Sequence, residues 1–165
     1  MKKKSNTRFI TQTAIIAAIY VVLTYISSVF GLASGAIQCR LSEALCVLPA
    51  FTPAAIPGLF VGCILANFLC GSMFLDILFG SLATLLGAVG TYYLSSYRFN
   101  ACLFPLPAIV SNSLIIPIVL KYAYALDKSA LYFFVTVGIG ELISCEVLGM
   151  LLYYSLKKNE KNLFR

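Results

Sequence analysis

Four long runs without charge set the pattern of this chain. Residues 9–39, 44–75, 77–97 and 99–120 contain no Asp, Glu, Lys or Arg. A membrane-crossing helix needs roughly 20 apolar residues, so the runs predict an integral membrane protein built as an all-α bundle. Six helical segments can be placed. The first is expected from about Phe9 to Phe30, and "GLASGAIQCR" follows as a loop marked by Gly31 and Gly35. The second is short, about Leu41 to Ala50, with Ser42 close to a start signal. Pro49, Pro53 and Pro57 stand four apart after it and break any continuous helix there. The remaining four are expected at about Ala54–Leu69, Phe74–Tyr97, Ala101–Tyr124 and Ala130–Leu156. Ten residues of α-helix reach only about 15 Å, half a hydrocarbon core. Segment two therefore continues through the prolines or spans only partly. Odd backbone at that depth is tolerated where protein or a water-filled cavity covers it.

Composition agrees with this pattern. The chain is 61% hydrophobic and 11% charged, whereas a soluble domain is about 25% charged. Its net charge of +6 does not point to nucleic acid, because the basic residues gather at the ends, as topology signals do. With the N-terminus inside, nine Lys and Arg fall on the inner side and three (Arg40, Lys121, Lys128) on the outer side. That bias predicts six crossings with both termini in the cytoplasm. The expected organisation is a basic N-terminus (1–8), a membrane domain (9–156) and a basic tail (157–165). "MKKKSNTRF" resembles the start of a signal peptide, but the apolar stretch after it is too long and lacks a small-x-small end. The six cysteines form no CxxC pair and read as apolar filler, indicating neither a zinc site nor a disulfide framework.

The few polar residues inside the runs are the candidate chemistry. Given that orientation, Gln38, Arg40 and Glu43 lie at the outer face, Asn67 near the outer end of segment three and Asp76 at the outer start of segment four. Asn112 falls near the middle of segment five, and Glu141 about eleven residues into segment six. They cluster in the outer half and describe a cavity opening outward. Each has a plainer reading. Arg40 and Glu43 can pair as an interfacial salt bridge, Asp76 can cap a helix, and Asn67 and Asn112 can join helices by hydrogen bonds. Glu141 is harder to set aside, since a carboxylate at bilayer depth costs several kcal/mol and no basic residue lies within a dozen positions of it. Glu146 stands about 140° further round an α-helix, and need not face the same cavity. On segment one, Ala14 and Ala18 stand four apart with Ala17 beside them. That spacing makes a flat face for a close helix neighbour, inside or outside the chain.

From "RLSEALCVLPAFTPAAIPGLFVGCILANFLCG" through "DILFGSLATLLGA" the chain resembles the QueT family. The R-x-S-E-A opening, the proline-spaced stretch, the A-N pair and the D-I-x-F-G-S-L-A-T run appear together. These are substrate-binding S components of energy-coupling-factor (ECF) transporters associated with queuosine precursors. The resemblance implies a six-helix bundle that takes its ligand from outside. It also implies a transmembrane coupling protein driven by two cytoplasmic ATPases. S components typically dock through an A-x-x-x-A face on helix one, which Ala14 and Ala18 fit, and the loop after that helix, here residues 31–40, closes over the ligand.

A 7-deazaguanine suits these residues chemically. Its N–H and exocyclic amine lie side by side, and a carboxylate accepts both. An aminomethyl arm adds a cation that a second carboxylate neutralises. Arg40, Gln38 or an asparagine amide can donate to the carbonyl, and Tyr25, Phe68 or Tyr122 can stack on the base. No GxxxxGK[ST], HExxH or GxSxG is present and there is no histidine, so no cofactor or catalytic role is expected. The alternative is a self-contained secondary carrier or channel for a small purine-like or vitamin-like solute. Such carriers often show internal repeats, and the two halves of this chain show none.

Overall fold

The computed structural model describes residues 2–32, 39–122 and 129–159. Among these residues every regular element is helical. Helix α1 (Lys2–Val29) leads to a long 3₁₀ helix (Leu41–Ala50), then α2 (Ala55–Leu69) and α3 (Phe74–Ser96). A short 3₁₀ turn (Ala101–Leu103) precedes α4 (Leu106–Tyr122). The last membrane segment is α5 (Ala130–Glu141), a π-helical stretch (Leu142–Leu148) and α6 (Gly149–Lys157) in continuous sequence. Among the described residues, four stretches are long and apolar enough to cross a membrane: Asn6–Val29, Phe74–Ser96, Ala101–Tyr122 and Leu131–Lys157. Large apolar side chains such as Ile10, Phe74, Leu114 and Leu131 point outward. A soluble protein would hide such an apolar surface, whereas lipid covers it.

Helix α1 begins at Lys2, seven residues before the expected start. The basic stretch contains no proline or glycine to stop a helix, and lysine is a good helix former. The proline-spaced region behaves differently from a broken α-helix. Residues Leu41–Ala50 wind as 3₁₀ helix with Pro49 inside it. At about 2.0 Å per residue, ten residues reach roughly 20 Å rather than 15. Runs of 3₁₀ helix longer than three or four residues are uncommon because their hydrogen bonds are poorer. This one is sustained by burial: Ser42, Glu43, Leu45, Cys46, Val47, Leu48 and Pro49 are all covered. It lies against α1, α3, the π stretch and α6, so protein covers its irregular backbone, as the bilayer requires. Pro57 falls in the first turn of α2, where a missing N–H costs no helical bond.

The helices otherwise pack in chain order, α1 on α2, α2 on α3, α3 on α4 and α4 on α5. Glycine permits two of these approaches. A Cβ at Gly62 would lie 2.9 Å from Tyr20 Cβ and 3.1 Å from the Ala17 Cα. At Gly87 it would lie 2.7 Å from the Ala108 Cα. Ala17 is thus buried in the α1–α2 contact, whereas Ala14 and Ala18 are exposed. Helix ends are also well determined. Gly71, at φ +73°, closes α2: its N–H bonds the Phe68 carbonyl and the Ser72 N–H bonds that of Asn67. Gly31, at φ +69°, closes α1 in the same way. These are the paired bonds of a Schellman motif, which needs a left-handed residue.

Backbone atoms at the α3–α4 contact cannot give way as side chains do. Gly87→Ala should therefore destabilise the protein by about 1–3 kcal/mol, the range for overpacking. Thermal unfolding in detergent, read as a lowered Tm, checks this. An unchanged Tm would mean that α3 and α4 separate more easily than their spacing indicates.

Candidate functional site

The first turn of the long 3₁₀ helix brings Glu43 inward, and the residue before that helix is Arg40. Glu43 is 4% exposed in a bundle whose other buried positions are mostly apolar. Its partners come from different helices. The Tyr20 hydroxyl of α1 donates to Glu43 Oε1 at 2.5 Å, and the Asn112 amide of α4 donates to Oε2 at 3.4 Å. Asn112 also hydrogen-bonds Glu141. Glu141 ends α5, where the backbone passes into the π stretch. Within that stretch the Cys145 thiol donates to Glu141 Oε2 at 3.2 Å and to the Glu43 carbonyl at 3.5 Å. π-Helical insertions often mark functional sites, and this one packs directly on the 3₁₀ helix. Two departures from α geometry thus face each other, with Glu43 in the first turn of one and Glu141 immediately before the other.

Arg40 supplies the opposite charge. Its guanidinium donates to Asn67 Oδ1 at 3.2 Å and interacts electrostatically with Asp76. Asn67 Nδ2 in turn donates to the Cys63 thiol, as does the Thr84 hydroxyl. Met73 is the N-cap of α3, leaving Asp76 buried in the first turn, where the helix dipole favours an acid. Gly80 keeps the space beside this group open: a Cβ there would lie 3.4 Å from Asn67 Nδ2 and 3.8 Å from Asp76 Oδ1.

A mostly enclosed pocket lies where these groups meet, lined by Arg40, Glu43, Gly80, Thr84, Asn112, Ile116, Val137 and Glu141. Its free volume is about 10 Å³, room for about one water. The polar groups therefore satisfy one another across a nearly closed space. Glu43, Glu141 and Cys145 also bring ligating atoms within 4.8 Å of one another. Two hard carboxylate oxygens and one soft thiol can hold a metal ion. An organic cation, or the donor edge of a heterocycle, meets the same acceptors.

Of the residues expected to bind substrate, Arg40, Glu43, Asn112 and Glu141 line this pocket. Asn67 and Asp76 stand behind Arg40. Glu146 is half-buried and does not line the pocket. Gln38 lies outside the described residues. Tyr25, Phe68 and Tyr122, the rings expected to stack on the base, are exposed and none lines the pocket. The cysteines need correction too. Cys63 and Cys145 are buried, but they exchange hydrogen bonds with the site's polar residues and are more than filler. Tyr20, Thr84 and Cys145 were missed. For Tyr20 a signal exists: Tyr20, Thr24 and Ser27 form a polar stripe at helical spacing along an apolar helix.

A curated relative named queuosine precursor transporter QueT, from Lactococcus lactis subsp. cremoris, is 39% identical over 83 residues. The matched stretch is 50% of this chain and 48% of the relative, so the chain spans about half the length of the curated relative it matches. No solved structure matches. The QueT transporter family model matches residues 10–158, and the family is one of transporters, not enzymes. Four long apolar helices and this match make the protein a multi-pass membrane protein. A match over residues 10–158, which includes every pocket-lining residue, shows that the chain belongs to the QueT transporter family.

Proposed function

We propose that this chain is the substrate-binding subunit of an ECF-type importer, and that it captures a 7-deazaguanine queuosine precursor from outside the cell. The observation that carries the reading is the meeting of Glu43, Glu141 and Arg40 in one small pocket of an apolar bundle. Two carboxylates offer acceptors for the N–H and exocyclic amine of the base, and for an ammonium on an aminomethyl arm. Arg40 and Asn112 are donors for the carbonyl. The name of the curated relative, a queuosine precursor transporter, supports this class of substrate.

In this reading the chain crosses the plasma membrane of a prokaryote six times, with both termini in the cytoplasm. The long 3₁₀ helix counts as one partial crossing. Ligand must part the intramolecular bonds that now fill the pocket. The Cys39 N–H bonds the Leu32 carbonyl at 2.8 Å, and residues 33–38, expected to close over the ligand, lie outside the described residues. Cys39 Sγ also lies 3.2 Å from Ser144 Oγ in the π stretch.

Energy would come from a transmembrane coupling protein and two cytoplasmic ATPases. The exposure of Ala14 and Ala18 on α1 supports their role in docking that coupling protein. An apolar groove of about 650 Å³ also runs beside α1, between Ile15 and Ile19, Leu45 of the 3₁₀ helix, and Leu152 and Leu156 of α6. Uptake that requires co-expressed coupling-factor proteins and ATP is the result expected. Uptake by this chain alone would instead make it a self-contained carrier.

Two substitutions test the parts separately. Glu141→Gln keeps the shape but exchanges one acceptor for a donor. Affinity for a 7-deazaguanine should fall by about 2 kcal/mol, within the range for a hydrogen bond to a charged group. Calorimetry showing wild-type affinity would assign Glu141 to structure alone. Replacing Ala14 and Ala18 together by Leu should abolish uptake while binding and Tm survive, because both positions are exposed. Ala17→Leu should instead lower the Tm, since Ala17 faces Gly62. Normal uptake by the Ala14/Ala18 variant would remove α1 from the docking surface.

A further inference from the structure

Tyr20 is 1% exposed and does not line the pocket, yet it makes a much shorter hydrogen bond to Glu43 than Asn112 does. At 2.5 Å the contact falls in the range of charge-assisted O–H···O⁻ bonds. Asn112 approaches the other oxygen at 3.4 Å, near the long limit for an N–H···O bond. A ligand arriving in the pocket meets an unequal carboxylate, with one oxygen firmly held from behind and the other loosely covered.

The tyrosine itself is fixed in place. Its Cβ faces Gly62 so closely that a Cβ there would lie 2.9 Å away. One turn further along α1, the Thr24 hydroxyl donates to Ser42 Oγ at 2.8 Å. Beyond it, Ser27 Oγ accepts from the Leu41 N–H at 2.9 Å. This stripe ties α1 to the first turn of the 3₁₀ helix, and Tyr20 is the member of it that reaches a pocket-lining side chain.

We propose that Tyr20 is a positioning residue of the binding pocket, holding Glu43 Oε1 so that Oε2 is presented to the ligand. The inference rests on the pocket being the substrate site. Glu43 then gives the ligand one oxygen, and Asn112 is the partner that yields. Glu141, whose donors are a thiol and the same amide, supplies the remaining acceptors. Tyr20 acts on the ligand through Glu43 and touches no ligand atom itself.

The test uses the purified full chain, with 7-aminomethyl-7-deazaguanine as the calorimetric probe. Tyr20→Phe keeps the ring and its seat on Gly62 but removes the donor. Its affinity should fall roughly tenfold, as for one lost charge-assisted bond. In a Glu43→Gln background the same change should add less than about twofold, because coupled residues are not additive. Thr24→Val, which cuts a neighbouring tie without touching Glu43, should lower the Tm yet keep the affinity within about twofold of wild type. Wild-type affinity in Tyr20→Phe overturns the proposal. So does an equal loss in the Glu43→Gln background or in Thr24→Val, and so does a Tyr20→Phe chain that fails to fold. Failure of the wild-type protein to bind the probe at all is a separate result. It removes the pocket as a substrate site for this ligand, and the role of Tyr20 with it.

Discussion

A buried carboxylate in a membrane bundle must find its partners within the protein, because neither water nor lipid supplies them. Glu43 imposes that constraint on most of this fold. It draws a hydroxyl from α1 and an amide from α4. Its own main-chain carbonyl takes the Cys145 thiol from the π stretch. Arg40, three residues earlier, extends the same network to α2 through Asn67. A charge on an isolated membrane helix costs a few kcal/mol on insertion scales. Here the expense falls on several helices at once, which converge on one point.

The two irregular stretches make that convergence possible. A regular α-helix from Leu41 through the prolines would need N–H groups that Pro49 and Pro53 lack. Winding as 3₁₀ helix lengthens the segment and keeps it within the bundle. In the last segment the π stretch follows directly on Glu141 and packs against the 3₁₀ helix. π-Helical turns of this sort are frequent at functional sites. The nearly closed pocket follows from the same arrangement, since its acids and donors already pair with one another. In the proposed function a ligand competes with those pairs and does not enter an open cavity.

Much of this was legible in the sequence, for identifiable reasons. Charge-free runs and prolines placed the segments, and the limits of the 3₁₀ helix, Leu41 and Ala50, coincide with the expected short segment. Polar residues within apolar runs pointed to Arg40, Glu43, Asn112 and Glu141, because a buried charge has few bland explanations. The π stretch was not legible. Residues 142–148 contain no proline or glycine, and the insertion depends on packing against a helix a hundred residues away. Tyr20 escaped because its ring reads as apolar while its hydroxyl does the chemistry. The aromatic candidates lie outside the pocket for the converse reason: a ring's type says nothing about which face of a helix carries it, and lipid accepts aromatic rings readily. Helix α1 starts before the charge-free run because charge ends only the membrane-embedded part of a helix, not the helix itself.

The central claim is that Glu43 and Glu141 jointly read the polar edge of one small ligand. An experimental structure of the purified protein with bound 7-aminomethyl-7-deazaguanine tests it most directly. The account predicts the ligand between Arg40, Glu43 and Glu141, with ring or arm nitrogens within hydrogen-bond distance, about 2.7–3.2 Å, of both carboxylates. It also predicts that Asn112 gives up Glu43 Oε2 while Tyr20 keeps Oε1. Ligand bound elsewhere in the bundle, with the contact between Asn112 and Glu43 intact, would contradict it.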